Sequence, residues 1–346
     1  MEGLMRIIIK FLKSMLKKKS LECYVISHKP IILITYWFDF LRNQSEIFKT
    51  IPHNRNVYFL FQSGWYKDKR DVDKIQKEIA IFKNIYLKTK YIFLSNSIEE
   101  NEFFLENNLT SLFCNQNAFI DEKRYKIKSR IKKKYDAIYL ARITPFKRHE
   151  LAVKVKNLLL IGSFTQNEEE HYQHIMKILP DAKWIEKVFS FRVSRYMNQA
   201  KVGLCLSAIE GAMFVSAEYL LSGIPIVSTI SVGGRDTLFD AEFVKIVKDN
   251  PEAVASGVEE MIKKNIDPEY IRNETIKRMK EHREKFINLV QEIYDKEMIN
   301  RKFKDDYEKV FVHKMGLRCG VGFNTYKKKI LKKGFILKNL KLDYSV

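Results

Sequence analysis

AKVGLCLSAIEGAMFVSAEYLLSGIPIVSTISVGGRD, residues 200–236, carries the punctuation from which the fold is read. Val202–Leu206 is an apolar run of strand length, and it gives way near Ser207 to a short loop holding Glu210 and Gly211. Phe214–Leu221 then has helical character, Gly223 stands where a helix C-terminal stop is expected, and Ile224–Ser228 is a second apolar strand. Strand, loop, helix and strand in that order make a βαβ unit. Loops at the carboxyl ends of parallel strands are where open α/β sheets bind ligands, and a helix start presents free backbone N–H groups to a phosphate. The loop holding Glu210 and Gly211, with the helix start that follows it, is therefore a candidate anion site.

The same alternation extends in both directions. Ala137–Leu140 and Asn157–Ile161 are strand candidates upstream, with helical stretches at Ser190–Gln199 and Pro251–Lys264. Nearer the N-terminus, Ile31–Thr35, Val57–Phe61 and Tyr91–Leu94 read as strands, Asp71–Lys83 and Glu99–Asn107 as helices. Two α/β units in tandem follow, which suits 346 residues better than one hydrophobic core does. Basic residues 123–134 read as the linker. The expected division is residues 1–134, residues 135–295 ending in a long charged helix from Pro268, and a basic tail, 296–346, returning to the first unit.

A net charge of +20 favours anionic partners, and its concentration at both ends (Lys17–Lys19 and Lys327–Lys333) adds a membrane surface to the candidates. Projected as a helix, residues 4–19 place Leu4, Ile8, Phe11, Leu12 and Met15 opposite Arg6, Lys10, Lys13 and Lys17, the pattern of a basic interfacial helix or of a surface helix packed on its own domain. No run approaches the roughly 20 apolar residues of a membrane span. Four dispersed cysteines, Cys23, Cys114, Cys205 and Cys319, suggest neither a disulfide framework nor a zinc site. The expectation is a cytoplasmic protein, peripheral on the inner face of the membrane. No RRM, KH, zinc-finger or helix-turn-helix signature accompanies the charge, so nucleic acid is not expected as a partner.

Glu210 and Glu218 are the acidic groups best placed to accept hydrogen bonds from hydroxyls, because a carboxylate accepts through two oxygens; capping and solvation are the alternative roles. Their spacing, the Ser222–Val227 strand (small-Gly-x-Pro-hydrophobic) and the Val232–Gly234 loop together resemble the core of the family 4, or group 1, retaining glycosyltransferases. Tyr139–Lys147, YLARITPFK, resembles the same family's strand-Arg-Lys segment. The resemblance spans roughly residues 135–295 and implies a GT-B fold, two Rossmann-like domains facing each other across a cleft. It implies a nucleoside-diphosphate sugar as donor, a saccharide or lipid-linked saccharide as acceptor, and a role in bacterial surface polysaccharide or lipopolysaccharide synthesis.

By position it gives Arg142 and Lys147 the diphosphate, Glu210 the transferred sugar and Glu218 the ribose. The backbone of Gly211, Ala212, Met213 and Phe214 is placed beside the phosphate. No cofactor and no metal are implied. The N-terminal half departs from the family: it holds only Gly3 and Gly64 in place of a glycine-rich loop, and neither His28 nor His53 sits in a motif. Asp71-Val-Asp73 has the form of a metal motif, but its charged setting reads as the solvated start of a helix. His171 and His174 read as surface residues. An epimerase on the same fold or a non-catalytic membrane-associated relative are the competing readings.

Overall fold

The structure, a computed structural model, describes residues 23–51, 54–186 and 188–316. The basic helix expected at 4–19, His53, Cys319 and the tail from 317 onward lie outside these residues. The chain opens with an antiparallel pair, Cys23–His28 (β1) and Ile31–Tyr36 (β2), and continues through Trp37–Thr50 (α1), Val57–Gln62 (β3) and Lys69–Ile85 (α2). Thr89–Ser95 (β4), Ile98–Glu106 (α3) and Ser111–Phe113 (β5) complete a sheet of order β1-β2-β3-β4-β5, parallel from β2 onward. Each new strand is added on the same side. Right-handed crossovers then put all three helices on one face.

Side chains alternate across a strand, so that face takes Leu33, Phe59, Phe61 and Phe93, which pack with Phe40, Ile75, Phe82 and Phe104 of the helices. Ile32, Ile34, Tyr58, Leu60 and Leu94 point the other way and need a second cover. That cover comes from the far end of the chain, as described below. Asp68 caps α2 by accepting a hydrogen bond from the Asp71 amide at 3.0 Å. Asp73 pairs with Lys69 on the exposed surface, as befits the start of a helix.

The second sheet contains Tyr135–Leu140 (β6), Leu158–Gly162 (β7), Lys183–Glu186 (β8), Ala200–Cys205 (β9), Ile226–Thr229 (β10) and Val244–Val247 (β11). Its helices are Glu169–Ile178 (α4), Ser190–Met197 (α5), Phe214–Leu221 (α6) and Pro251–Lys264 (α7). The strand order is β11-β10-β9-β6-β7-β8, all parallel. β6 lies in the middle and the chain winds outward in both directions from it. Such an order leaves a crevice between β6 and β9 at their carboxyl ends, where neighbouring loops depart to opposite faces. Gly223 ends α6 with φ +68°, the backbone expected of a helix stop.

Pro268–Lys296 (α8) spans both units. Ile271 and Met279 belong to the second core, whereas Phe286, Val290, Ile293 and Tyr294 close the open face of the first sheet. Phe303–Val310 (α9) adds Phe303, Tyr307 and Val310 to the same layer. Among the described residues no helix is long and apolar enough to cross a membrane.

Candidate functional site

The loop leaving β6 meets the loop leaving β9 at the crevice. Pro145–Lys147 forms a 3-10 turn, and Arg148 follows in the left-handed region at φ 52°. Arg148 secures the turn from outside: its guanidinium donates to the Leu206 carbonyl at 2.5 Å, to Thr229 Oγ1 at 2.6 Å and to Asp249 at 2.6 Å. From inside, the Tyr139 hydroxyl donates to the Lys147 carbonyl. Lys147 is thus fixed at its backbone and points inward.

Its ammonium pairs with Glu210 Oε1, and the two side chains are 13% and 6% exposed. The Ser207 hydroxyl donates to the same carboxylate oxygen at 2.6 Å. An ion pair this far from water is tolerated only when further hydrogen bonds satisfy it. Glu210 is held in turn by its own backbone, whose amide donates to the Val232 carbonyl at 3.0 Å. Gly233 passes directly behind with φ +102°, and a Cβ there would lie 1.8 Å from the Glu210 carbonyl oxygen. Fully buried Arg235 clamps the floor, donating to the carbonyls of Ser207 at 2.7 Å, Cys205 at 3.2 Å and Thr229, and pairing with Asp236 at 2.6 Å.

Beyond Glu210, the chain turns into α6 through Gly211, Ala212 and Met213. Met213 occupies the N-cap position in a left-handed conformation (φ 48°), and no side chain caps the helix. The first amides of α6, beginning with Phe214, lack an intrahelical partner, so this end offers donors and a positive dipole to an anion.

The first unit's strand ends face this loop. The Asn117 side-chain amide donates to the Ala212 carbonyl at 2.5 Å, and the Asn115 amide bridges the carbonyls of Asn96 and Gly234, both at 2.7 Å. Thr237 Oγ1 donates to the Asn96 carbonyl at 2.8 Å. A Cβ on Gly234 would come within 2.3 Å of Asn96 Cβ, and one on Gly211 within 3.0 Å of the Gly64 carbonyl oxygen. The carboxyl edges of the two sheets therefore oppose each other across a narrow gap.

Not every residue expected at the site joins this cluster. Arg142 is half exposed and pairs with Glu168 at 3.4 Å, on the rim beyond β7. Glu218 is buried in α6 with a separate cation: Lys314 Nζ lies 2.8 Å from its Oε1 and 4.3 Å from the Phe214 ring centroid. Tyr125 lies near Glu218, and burial together with that carboxylate pushes the phenol well above its ordinary range.

Four contributors were not singled out from sequence: Ser207, Arg148, Arg235 and His149. His149 packs its ring 4.6 Å from Tyr139, and burial, with His171 and Lys147 nearby, drives it down to about 3, so it is neutral at physiological pH. His171 is half-buried rather than a plain surface residue, because α4 turns it toward His149; His174 is exposed. His28 ends β1 beside a recess of about 440 Å³ at the opposite, amino-terminal edge of the first sheet, remote from the strand ends. Among the described residues no group of three or more His, Cys, Asp or Glu is arranged to hold a metal ion.

The sequence profile of the family described as Glycosyl transferases group 1 matches residues 121–278. No curated protein matches the chain by sequence search. Solved structures do match. HepE from Anabaena, in complex with UDP, aligns with a TM-score of 0.59 and 12% identity over 72% of this chain and 81% of its own. A TarM variant from S. aureus, in complex with fondaparinux, alpha-GlcNAc-glycerol and UDP, gives 0.56 and 16% over 75% of this chain; the match spans only 55% of TarM. Sucrose-phosphate synthase from Thermosynechococcus elongatus gives 0.54 and 15% over 81% and 73%. The chain thus has the GT-B fold, two Rossmann-like units with their strand ends opposed, and residues 121–278 of it match the group 1 glycosyl transferases.

Proposed function

We propose that the protein transfers a hexose-type sugar from a nucleoside diphosphate to a saccharide or lipid-linked saccharide, with retention of configuration and without a metal. The observation that carries this reading is the buried Lys147–Glu210 pair at the crevice between β6 and β9, next to the uncapped start of α6. Lys147 retains two further N–H donors for a phosphate, and the amides of Met213 and Phe214 supply neutral ones. Glu210 Oε2 accepts a hydroxyl of the transferred sugar. The donors to the phosphate strengthen their hold as the bond from C1 to the phosphate oxygen breaks, because the departing diphosphate gains charge, and the Glu210 contact strengthens as the sugar becomes electron-poor.

The acceptor oxygen bonds C1 on the same face, and its proton passes to the departing diphosphate oxygen. Arg142 is assigned to the same diphosphate: an exposed pair such as the one it makes with Glu168 contributes about 0–1 kcal/mol and is readily exchanged for a phosphate. Glu218 is assigned to the ribose, whose hydroxyls would share the carboxylate with Lys314. UDP in the HepE and TarM structures makes uridine nucleotides the first donors to test. The basic amphipathic pattern at residues 4–19 supports a peripheral position on an anionic membrane and a lipid-linked acceptor in surface-polysaccharide synthesis.

A thermal-shift screen against UDP, GDP, ADP and their sugars tests the donor site. A ligand at 100 times its Kd stabilises by about 2.7 kcal/mol. A shift with one nucleotide that is weakened by Lys147→Ala supports the assignment. No shift with any of them refutes it.

A further inference from the structure

Most aromatic side chains of the first unit are buried, Phe59, Phe61 and Phe93 among them at 0–2% exposure, but Phe38 and Trp65 are 46% and 43% exposed; Phe38 stacks on Tyr36 of its own unit, whereas Trp65 reaches outward. It follows β3 and crosses the gap to meet Phe146 of the second unit, itself 38% exposed, in an edge-to-face contact with centroids 5.3 Å apart and planes at 87°. Phe146 is the residue before Lys147, whose ammonium lies 4.9 Å from its ring centroid. The two rings therefore border the Lys147–Glu210 pair.

The loop that carries Trp65 is fastened although its indole is open. The Ser63 carbonyl accepts from the side chains of Asn96 at 2.7 Å and Gln116 at 3.0 Å. Gly64 lies against the Tyr36 ring, where a Cβ would come within 2.9 Å of it. A fixed loop with an exposed indole is a presented surface. Hydrogen-bonding capacity is left over on both flanks: Thr144 Oγ1, two residues before Phe146, and both polar atoms of the Gln62 side chain, three residues before Trp65, are buried and have no partner among the described residues.

We propose that the exposed face of the Trp65 indole, buttressed edge-on by Phe146, is the surface on which a pyranose ring of the acceptor stacks. A pyranose has an apolar C–H face whose hydrogens carry partial positive charge, matching the negative face of an aromatic ring, and a polar rim of hydroxyls. The donor is assigned to the second unit, so the acceptor reaches the anomeric carbon from the first, and Trp65 is the aromatic that the first unit extends to that place. The assignment rests on the glycosyl-transfer reading above. A bilayer is the other apolar occupant, but rings that meet each other across the gap beside a buried ion pair are placed for a ligand in the gap.

The test uses the full-length protein with UDP and, as probes, methyl glucosides and methyl N-acetylglucosaminides observed by saturation-transfer NMR. Transfer to the C–H protons of one ring face is expected. Trp65→Ala should abolish it, Trp65→Phe should restore it, and Phe146→Ala should weaken binding roughly tenfold, about 1.4 kcal/mol. UDP-induced thermal shifts of Trp65→Ala should match wild type, which also shows that the variant folds. Transfer that survives Trp65→Ala unchanged, or is absent with every glycoside, overturns the proposal. So does Trp65-dependent flotation on neutral vesicles. Failure of UDP to bind removes the donor assignment alone, because the glycoside titrations are repeated without nucleotide.

Discussion

Lys147→Ala takes the cation away from a carboxylate whose side chain is only 6% exposed. Removing one partner of a buried pair costs about 3–5 kcal/mol, since the remaining charge is left in a poorly hydrated place. Glu210 keeps the Ser207 hydroxyl at 2.6 Å, so the lower end, about 3 kcal/mol, is expected. Lys147→Met with Glu210→Gln removes both charges at nearly constant volume, and Gln Oε1 can still accept from Ser207. That double variant should lie within about 1 kcal/mol of wild type, because a neutral replacement of a buried pair is often costless. For a unit of this size 3 kcal/mol corresponds to roughly 6–12 °C in Tm. Differential scanning calorimetry of wild type, Lys147→Ala, Glu210→Gln and the double variant gives the cycle, with the coupling read from the transition of the second unit. Equal stability of Lys147→Ala and the double variant would show the pair to be hydrated and sink the argument. Nucleotide affinity separates stability from function: both variants lacking the lysine should lose about 1.5–3 kcal/mol toward UDP, the scale of a charge-assisted hydrogen bond.

Burial pushes the Glu100 carboxyl up to about 7 from an ordinary 4.5, although it accepts from the Asn96 amide at 2.6 Å. The folded state then holds this proton more tightly than the unfolded state. Its contribution is fully present below pH 4.5 and lost as pH rises through about 7. Glu100→Gln should flatten the stability profile over that window and stabilise above it by up to about 3 kcal/mol; an unchanged slope in urea titrations would count against it. His149 behaves oppositely, because its folded value near 3 lies below the unfolded 6.5: stability is present above pH 6.5 and falls as pH drops toward 3, a loss that His149→Phe should reduce in acid unfolding. Gly234→Ala should cost about 1–3 kcal/mol as the Cβ collides with Asn96 and the opposed strand ends part, visible as earlier, less cooperative melting. Glu218→Ala should weaken UDP itself whereas Glu210→Gln impairs only the sugar-bearing donor, and turnover should persist in EDTA; loss in chelator restored by manganese would contradict the metal-free reading.

The second unit is legible in the sequence because its elements are bounded by residues with a fixed local meaning. Phe214–Leu221 and Pro251–Lys264 are helices over those residues: a Gly at positive φ ends one, and Asn250 with Pro251 starts the other. Elements without such marks are missed. β8 and β11 are four-residue edge strands, KWIE and VKIV: the first exposes its terminal Lys183 and Glu186, the second exposes Ile246, and neither gives a long apolar run. β1 escapes because its partner is the antiparallel neighbour and not the next crossover. Glu210 and Lys147 stand out individually as residue types in motifs, but nothing in a spacing of 63 residues says that they touch.

Local chemistry in the chain alone determined that there would be two mainly parallel α/β units and where the strand-end loops of the second fall, since φ preferences and apolar periodicity act over a few residues; that no side chain caps the helix after Met213 was decided by the structure. Distances across the chain belong to the tertiary structure. It decided that Arg142 stands on the rim with Glu168, that Glu218 is met by Lys314, 96 residues away, and that α8 crosses from one core to the other to seal a sheet whose own helices all lie on one face. These outcomes follow from the winding order of the strands and from burial, and burial exists only once the surfaces have met.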